Sequence, residues 1–247
     1  MRRRATAVAV SGGLMWTLAV AAVSLSGCGG LSRGGVPEDG GPNPGVYPPS
    51  ATPFGETYGE WGARWWQWVF SVPDLPDAPN PLYDMTGERA AVGQSGPVWF
   101  LAGTMGPTVE RTCTVPAGKA ILFPLLNAFW VATIPEETEP VMRANCRDGM
   151  DHVTELWATV DGVSLRGLFA YRFEAPRVFF ATFPEVGGLW GVPGGAYPAF
   201  QEGFWIMLEP PAPGEHALTW GGRAVNPATP PNVDVFEQNI TYHLTVE

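Results

Sequence analysis

The chain of 247 residues sets 24 Asp and Glu against 14 Lys and Arg, a net charge of −10, which excludes the basic face of a nucleic-acid binder and a polybasic membrane patch. Hydrophobic residues make up 45% and charged residues 15%, so a packed core is within reach and wholesale disorder is excluded. The 31 Gly, 26 Pro and 12% aromatics favour short strands and many turns over long helices.

In chain order, residues 1–27 predict a lipoprotein signal peptide. Arg2, Arg3 and Arg4 form a basic head, the stretch from Ala5 to Gly27 is uncharged, and Leu25-Ser26-Gly27-Cys28 matches a lipobox. That match implies cleavage before Cys28 and lipid on its sulfur, so the membrane is the expected partner at this end. An uncleaved apolar anchor and an ordinary signal peptide are the alternatives. Gly29 in place of Asp leans the expected address, the bacterial cell envelope, toward the outer membrane. Residues 28–53 are dominated by Gly and Pro without apolar period, and predict a disordered tether with no secondary structure before about residue 52.

Residues 54–247 are expected to fold as one domain. Phe54, Tyr58, Trp61, Trp65 and Trp68 recur at steps of four and three, which predicts a helix over 54–70 with a buried aromatic face and Thr52 as its N-cap. Trp66 and Phe70 lie off that stripe, which makes Trp66 a candidate ligand contact. Residues 74–95 read as a loop broken by Pro76, Pro79-Asn80-Pro81 and Gly93. Strands follow at Val98–Thr104, Thr108–Val115 and Lys119–Leu126, the last two joined by Pro116-Ala117-Gly118 as a hairpin turn. Residues 136–151 predict a short second helix, with Glu136, Glu137 and Glu139 at its positive end and Val141, Met142 and Cys146 facing inward. Val153–Val160, Asp161-Gly162 and Val163–Phe173 predict a hairpin. Arg177–Phe183 and Gly203–Leu208 are apolar on both faces and suit covered strands. A Gly/Pro-rich loop, residues 187–198, carries Trp190. In the last strand Ile240, Tyr242, Leu244 and Val246 alternate with Asn239, Thr241, His243 and Thr245, so one face is wet. The pattern predicts a mainly β domain: a single antiparallel β-sandwich with an N-terminal aromatic-rich helix and one further short helix.

Several segments together resemble a family of exported bacterial proteins of unknown function: residues 65–68 (WWQW), 93–104 (GQSGPVWFLAGT), 112–119 (TCTVPAGK) and 241–246 (TYHLTV). The likeness covers roughly residues 55–247 and implies a single exported domain. It brings no catalytic residues to carry over.

Three cysteines divide into Cys28 for lipid and an even pair, Cys113 and Cys146, expected to form a disulfide in an oxidising compartment, with two buried free thiols as the alternative. The chain has no GxSxG, HExxH, phosphate-loop or dinucleotide-binding motif, and no metal site or cofactor is expected. The densest titratable cluster is His152 with Asp148, Asp151 and Glu155, which reads either as a polar helix-to-strand junction or as a base oriented by a carboxylate. The leading expectation is a non-enzymatic envelope module that binds a glycan or an envelope protein or serves structurally, with Trp66, Trp157 and Trp190 as candidate contacts. The rival is an envelope hydrolase using acidic residues and His152.

Overall fold

The computed structural model describes residues 43–105, 108–226 and 234–247. Cys28, the leader and the tether up to residue 42 lie outside the described residues.

The aromatic helix α1 spans Tyr58–Ser71. It starts later than its stripe suggests, because Thr57 and not Thr52 caps it. Glu60 N–H donates to Thr57 Oγ1 at 3.3 Å, and Thr57 N–H donates back to Glu60 Oε2 at 2.8 Å, a reciprocal capping box. Phe54 sits in a separate 3-10 turn, Pro53–Gly55, with φ 55°. Of the predicted stripe, Phe54, outside the helix, is 49% exposed, whereas Tyr58, Trp61, Trp65 and Trp68 are buried. So are Trp66 and Phe70, because α1 is enclosed by a sheet and by loops and leaves mainly Arg64, Gln67 and Ser71 exposed. The close approach needs small residues on the helix. A methyl group on Gly59 would stand 2.1 Å from the backbone oxygen of Glu174, and one on Gly62 would stand 2.6 Å from Gln201 Nε2.

Two five-stranded sheets make up the body, and both are mixed. In the first, β1 (Val98–Phe100) runs parallel to β3 (Ala120–Val131), which pairs antiparallel with β8 (Gly195–Leu208). The far side of β8 takes β6 (Arg172–Glu174) and β7 (Phe179–Phe183). In the second, the order is β2 (Val109–Val115), β10 (Asp234–Val246), β9 (Gly214–Asn226), β4 (Val153–Val160) and β5 (Val163–Ser164). Here β2 and β10 are parallel, in register from Val109↔Ile240 to Val115↔Val246. The expected all-antiparallel arrangement is therefore corrected. The physical reason lies at Pro116-Ala117-Gly118. The turn forms, with Gly118 at φ 81° and Lys119 N–H on Pro116 O at 3.4 Å, but it carries the chain from one sheet to the other and makes no hairpin. The Asp161-Gly162 turn does make a hairpin, both residues at positive φ (50° and 78°) as a type I′ turn requires, although β5 is only two residues long. Pro124 sits inside β3 without an N–H to give, and the ladder shifts register between Pro124 and Leu126.

The helix α2 spans Glu139–Asp151 and buries Met142, Cys146 and Met150, while Val141, expected to face inward, is 40% exposed. The sheets meet where Phe123 packs on Trp220 at 4.5 Å and Leu126 fills the space over Gly222. Alternate β8 residues serve the two faces of the first sheet. Gln201 and Trp205 meet α1, through Gln201 Nε2–H on Gly59 O at 3.1 Å and Trp205 on Trp65 at 5.5 Å. Phe200 meets α2, beneath Arg143 at 4.3 Å. The wet and dry faces of β10 follow the predicted alternation, with Ile240, Tyr242, Leu244 and Val246 buried.

Two further expectations are corrected. The last part of the supposed tether is docked: Val46 is 4% exposed and bridges Leu208, Tyr47 N–H donates to Met207 O at 3.0 Å, and Asn43 Nδ2 holds Arg166 O at 2.9 Å. Val46 and Tyr47 bury apolar surface that the Gly/Pro background hid. Cys113 and Cys146 are both free. Cys113 lies on β2 at the edge of the second sheet, whereas Cys146 packs from α2 against Phe200 and Ala175 of the other layer.

Candidate functional site

The sequence-selected aromatics part company. Trp66 is 2% exposed, its ring against Phe129 at 4.2 Å and Phe70 at 5.0 Å, so it cannot be a direct ligand contact. Trp157 is half-buried on the outer face of the second sheet, where its ring covers Gly221 and its Nε1–H donates to Asn239 Oδ1 at 3.3 Å. Trp190 lies on the opposite side of the molecule, by the α1 face of the first sheet, joined to Trp66 through Phe129 and Phe70.

Around Trp190 two loops are built into one surface. The first, residues 74–84, follows α1. Asn80 organises it and is fully buried. Its Nδ2 donates to Val69 O at 2.9 Å, which also takes the capping Val72 N–H, and to Val72 O at 2.7 Å, tying the loop to the end of α1. Its Oδ1 accepts Leu82 N–H at 3.0 Å, and its backbone oxygen accepts Tyr83 N–H at 2.8 Å. Arg111 of β2, 1% exposed, clamps both neighbours of Tyr83: Nη2 donates to Leu82 O at 3.4 Å and Nε to Asp84 O at 2.7 Å. Asp84 accepts Thr86 N–H, the Thr86 hydroxyl and Arg89 N–H, and these bonds hold its carboxyl below the usual range against the opposing effect of burial.

The second loop, residues 184–194, joins β7 to β8, whose ends pair at Phe183↔Gly195. It presents Trp190 at φ 55°. A left-handed backbone at a bulky residue costs about 1–3 kcal/mol and persists only where surroundings impose it. Here they do. The Trp190 ring stacks on Phe129 at 4.9 Å and 19°, stands edge-on to Phe70 at 6.1 Å, and its Nε1–H donates to Tyr83 Oη at 2.9 Å. The loops are also joined by Asp74 N–H on Gly187 O at 2.7 Å, with Leu75 against Gly187. The result is a surface of Trp190, Tyr83 (38% exposed), Leu75 and Val186, with the Asp74 carboxylate at its edge. Burial pushes the Tyr83 hydroxyl above its ordinary range, and Asp74 adds to the effect, so Tyr83 remains neutral.

The His152 cluster does not converge on a site. His152 ends α2, with Nδ1 bonded to Asp148 O at 2.7 Å and 4.0 Å from the Asp148 carboxylate. Asp151 is paired with Arg172 at 2.7 Å and Glu155 with Arg223 at 3.5 Å. Arg172 also holds the buried Glu202 at 2.7 Å, whose carboxyl is pushed up by burial and pulled back by Arg172. The Asp151–Arg172–Glu202 chain, with Glu174 on Arg143 and Arg147, fastens α2 to β6 and β8. A groove of about 490 Å³ lies beside α2, lined by Ala132, Ile134, Met142, Val178 and Pro198 among others, and no histidine lines it. Its Glu137 is engaged by Trp130 Nε1–H and the Thr133 and Ile134 N–H groups. Among the described residues no group of three His, Cys, Asp or Glu could hold a metal, and no helix is long and apolar enough to cross a membrane.

No family model matches the chain, and no curated protein matches it. Among solved structures it is similar to one described as PbICP-C in complex with falcipain-2, at 8% identity and a TM-score of 0.22 over 63% of this chain and 96% of that one. Another is described as the solution structure of amebosin, at 16% identity and a TM-score of 0.15 over 57% of this chain and 100% of that one. Likenesses at these scores carry no argument about fold or function.

Proposed function

We propose that the chain is a cell-envelope lipoprotein, anchored in the outer membrane by lipid on Cys28, whose β-sandwich body binds a glycan at Trp190. The observation that carries this reading is the half-buried Trp190 ring, held at positive φ with one face stacked on Phe129 and its N–H tied to Tyr83. A ring fixed on one face offers the other to a ligand. The electron-rich face of an indole attracts the polarised C–H face of a sugar, and the adjacent hydroxyl and carboxylate supply directional bonds. Strain at a half-buried aromatic in a loop braced by Asn80 and Arg111 fits a binding surface better than a packing device. The basic and apolar leader ending in Cys28 and the resemblance to exported bacterial proteins support the address. The pairing of Asp151 and Glu155 with arginines speaks for binding over hydrolysis at His152.

The test is a pulldown on insoluble peptidoglycan, chitin and cellulose with the detergent-solubilised chain and its Trp190→Ala variant. Retention of the parent on at least one polymer and its loss in the variant is expected. Equal retention of both proteins, or of neither, would overturn the reading.

A further inference from the structure

Resting on that glycan reading, we propose that the sugar ring stacked on Trp190 carries a free amine, so that the site selects amino sugars over neutral or N-acylated ones. Three groups meet here with complementary vacancies. Trp190 has its inner face on Phe129, which leaves the outer face, and the Nε1–H is spent on Tyr83 Oη. Tyr83 thereby accepts, and its own O–H proton remains to donate to a ring hydroxyl. Asp74 is fixed at the junction by its N–H on Gly187 O, and its Oδ1 takes Asn80 N–H at 3.0 Å. Its Oδ2 has no bond to the described residues, so it is a charged acceptor awaiting donors.

The charge carried by the two loops themselves has one sign. Residues 74–84 and 184–194 contain Asp74, Asp77, Asp84 and Glu185 and no Lys, Arg or His. Asp84 is spent inside its own loop, and Arg89 reaches the first loop at Pro79 O, where its Nε donates at 3.2 Å. Arg111 lies beneath, buried, with its donors on backbone oxygens and Tyr242. A neutral sugar would use the Trp190 face and the Tyr83 hydroxyl. An ammonium adds an ion pair with Asp74 and an attraction to the indole face, the strongest of the aromatic faces for a cation.

The experiment is calorimetric titration of the full chain in detergent at pH 6.0 with two probes of equal length, a glucosamine oligomer and an N-acetylglucosamine oligomer. The parent is expected to bind the amine form about tenfold tighter, the worth of a partly desolvated cation–π contact with an exposed ion pair. Asp74→Asn should bring the ratio of the two affinities close to one, and Trp190→Ala should abolish binding of both, each variant being checked for the parent's far-ultraviolet circular dichroism and a cooperative unfolding transition. Equal affinity of the parent for the two oligomers, or a preference that survives Asp74→Asn, would overturn amine selection while leaving glycan binding in place. Binding of neither oligomer by the parent would overturn both. Amine-oligomer binding that survives Trp190→Ala would reduce the effect to bulk charge and overturn the proposal.

Discussion

Replacing Arg111 should both destabilise the domain and disturb a site it does not touch. Its guanidinium is 1% exposed and all five of its acceptors are neutral oxygens: Asp84 O at 2.7 Å, Ala102 O at 2.8 Å, Gly103 O at 2.9 Å, Tyr242 Oη at 3.0 Å and Leu82 O at 3.4 Å. Arg111→Met keeps the stem and removes every donor. Each buried carbonyl left without a partner costs about 1–3 kcal/mol. Ala102 O keeps a long bond from the Tyr242 hydroxyl at 3.4 Å, which softens one loss, and removing a charge buried without a carboxylate partner gives some energy back. A net loss of about 3–5 kcal/mol follows, or a fall in melting temperature of roughly 6–20 °C for a domain of this size. Arg111→Lys retains a cation with three donors on a flexible stem and should cost about 1–3 kcal/mol. Urea unfolding measures both. Because Leu82 and Asp84 flank Tyr83, hydrogen exchange at 82–84 should also accelerate in the folded Lys variant. An Arg111→Met protein within about 1 kcal/mol of the parent would refute the reasoning, since it would mean that the carbonyls find other partners.

Trp66→Ala should cost about 3–5 kcal/mol, the range for truncating a buried aromatic, and thermal or urea unfolding will show it. Cys113 and Cys146 should fail to react with a thiol reagent at pH 8 in the native state and react on unfolding. Burial raises both thiols, Cys113 to about 12. His216 holds Asp161 Oδ2 and Ala212 O, each at 2.8 Å, through its two ring nitrogens, so both must be protonated to donate. Its pKa is raised above 6.5, chiefly by the Asp161 bond. The stability it adds is therefore full below pH 6.5 and lost as pH rises through the higher folded value. The difference in unfolding free energy between the parent and His216→Ala should shrink between pH 6 and pH 9.

The aromatic stripe of α1 and the alternation in β10 were legible because each reflects one chain segment facing one core. Trp66 was misread for the same reason: the stripe presumes a helix packed on one side, and α1 is enclosed on several. The turn at residues 116–118 was legible as a turn, but local chemistry does not say which sheet receives the next strand. The partner of β2 is the C-terminal strand, more than a hundred residues away. An even cysteine count likewise says nothing of distance, and the fold puts Cys113 and Cys146 on different layers. Trp190 was reachable, a large aromatic before a glycine in a Gly/Pro-rich loop. Tyr83, its hydrogen-bond partner 107 residues earlier, was not, and neither were Asn80 and Arg111, whose roles exist only once α1, β2 and the two loops meet.

The glycan surface at Trp190 is tested most directly by the indole N–H resonances of the 15N-labelled protein, with Trp190 and Trp157 assigned through Trp190→Phe and Trp157→Phe. On titration with a soluble glucosamine oligomer, the Trp190 resonance, whose proton lies on Tyr83, should move most, with Trp157 unchanged. A saturating titration that leaves Trp190 in place, or that moves Trp157 in its stead, would contradict the account.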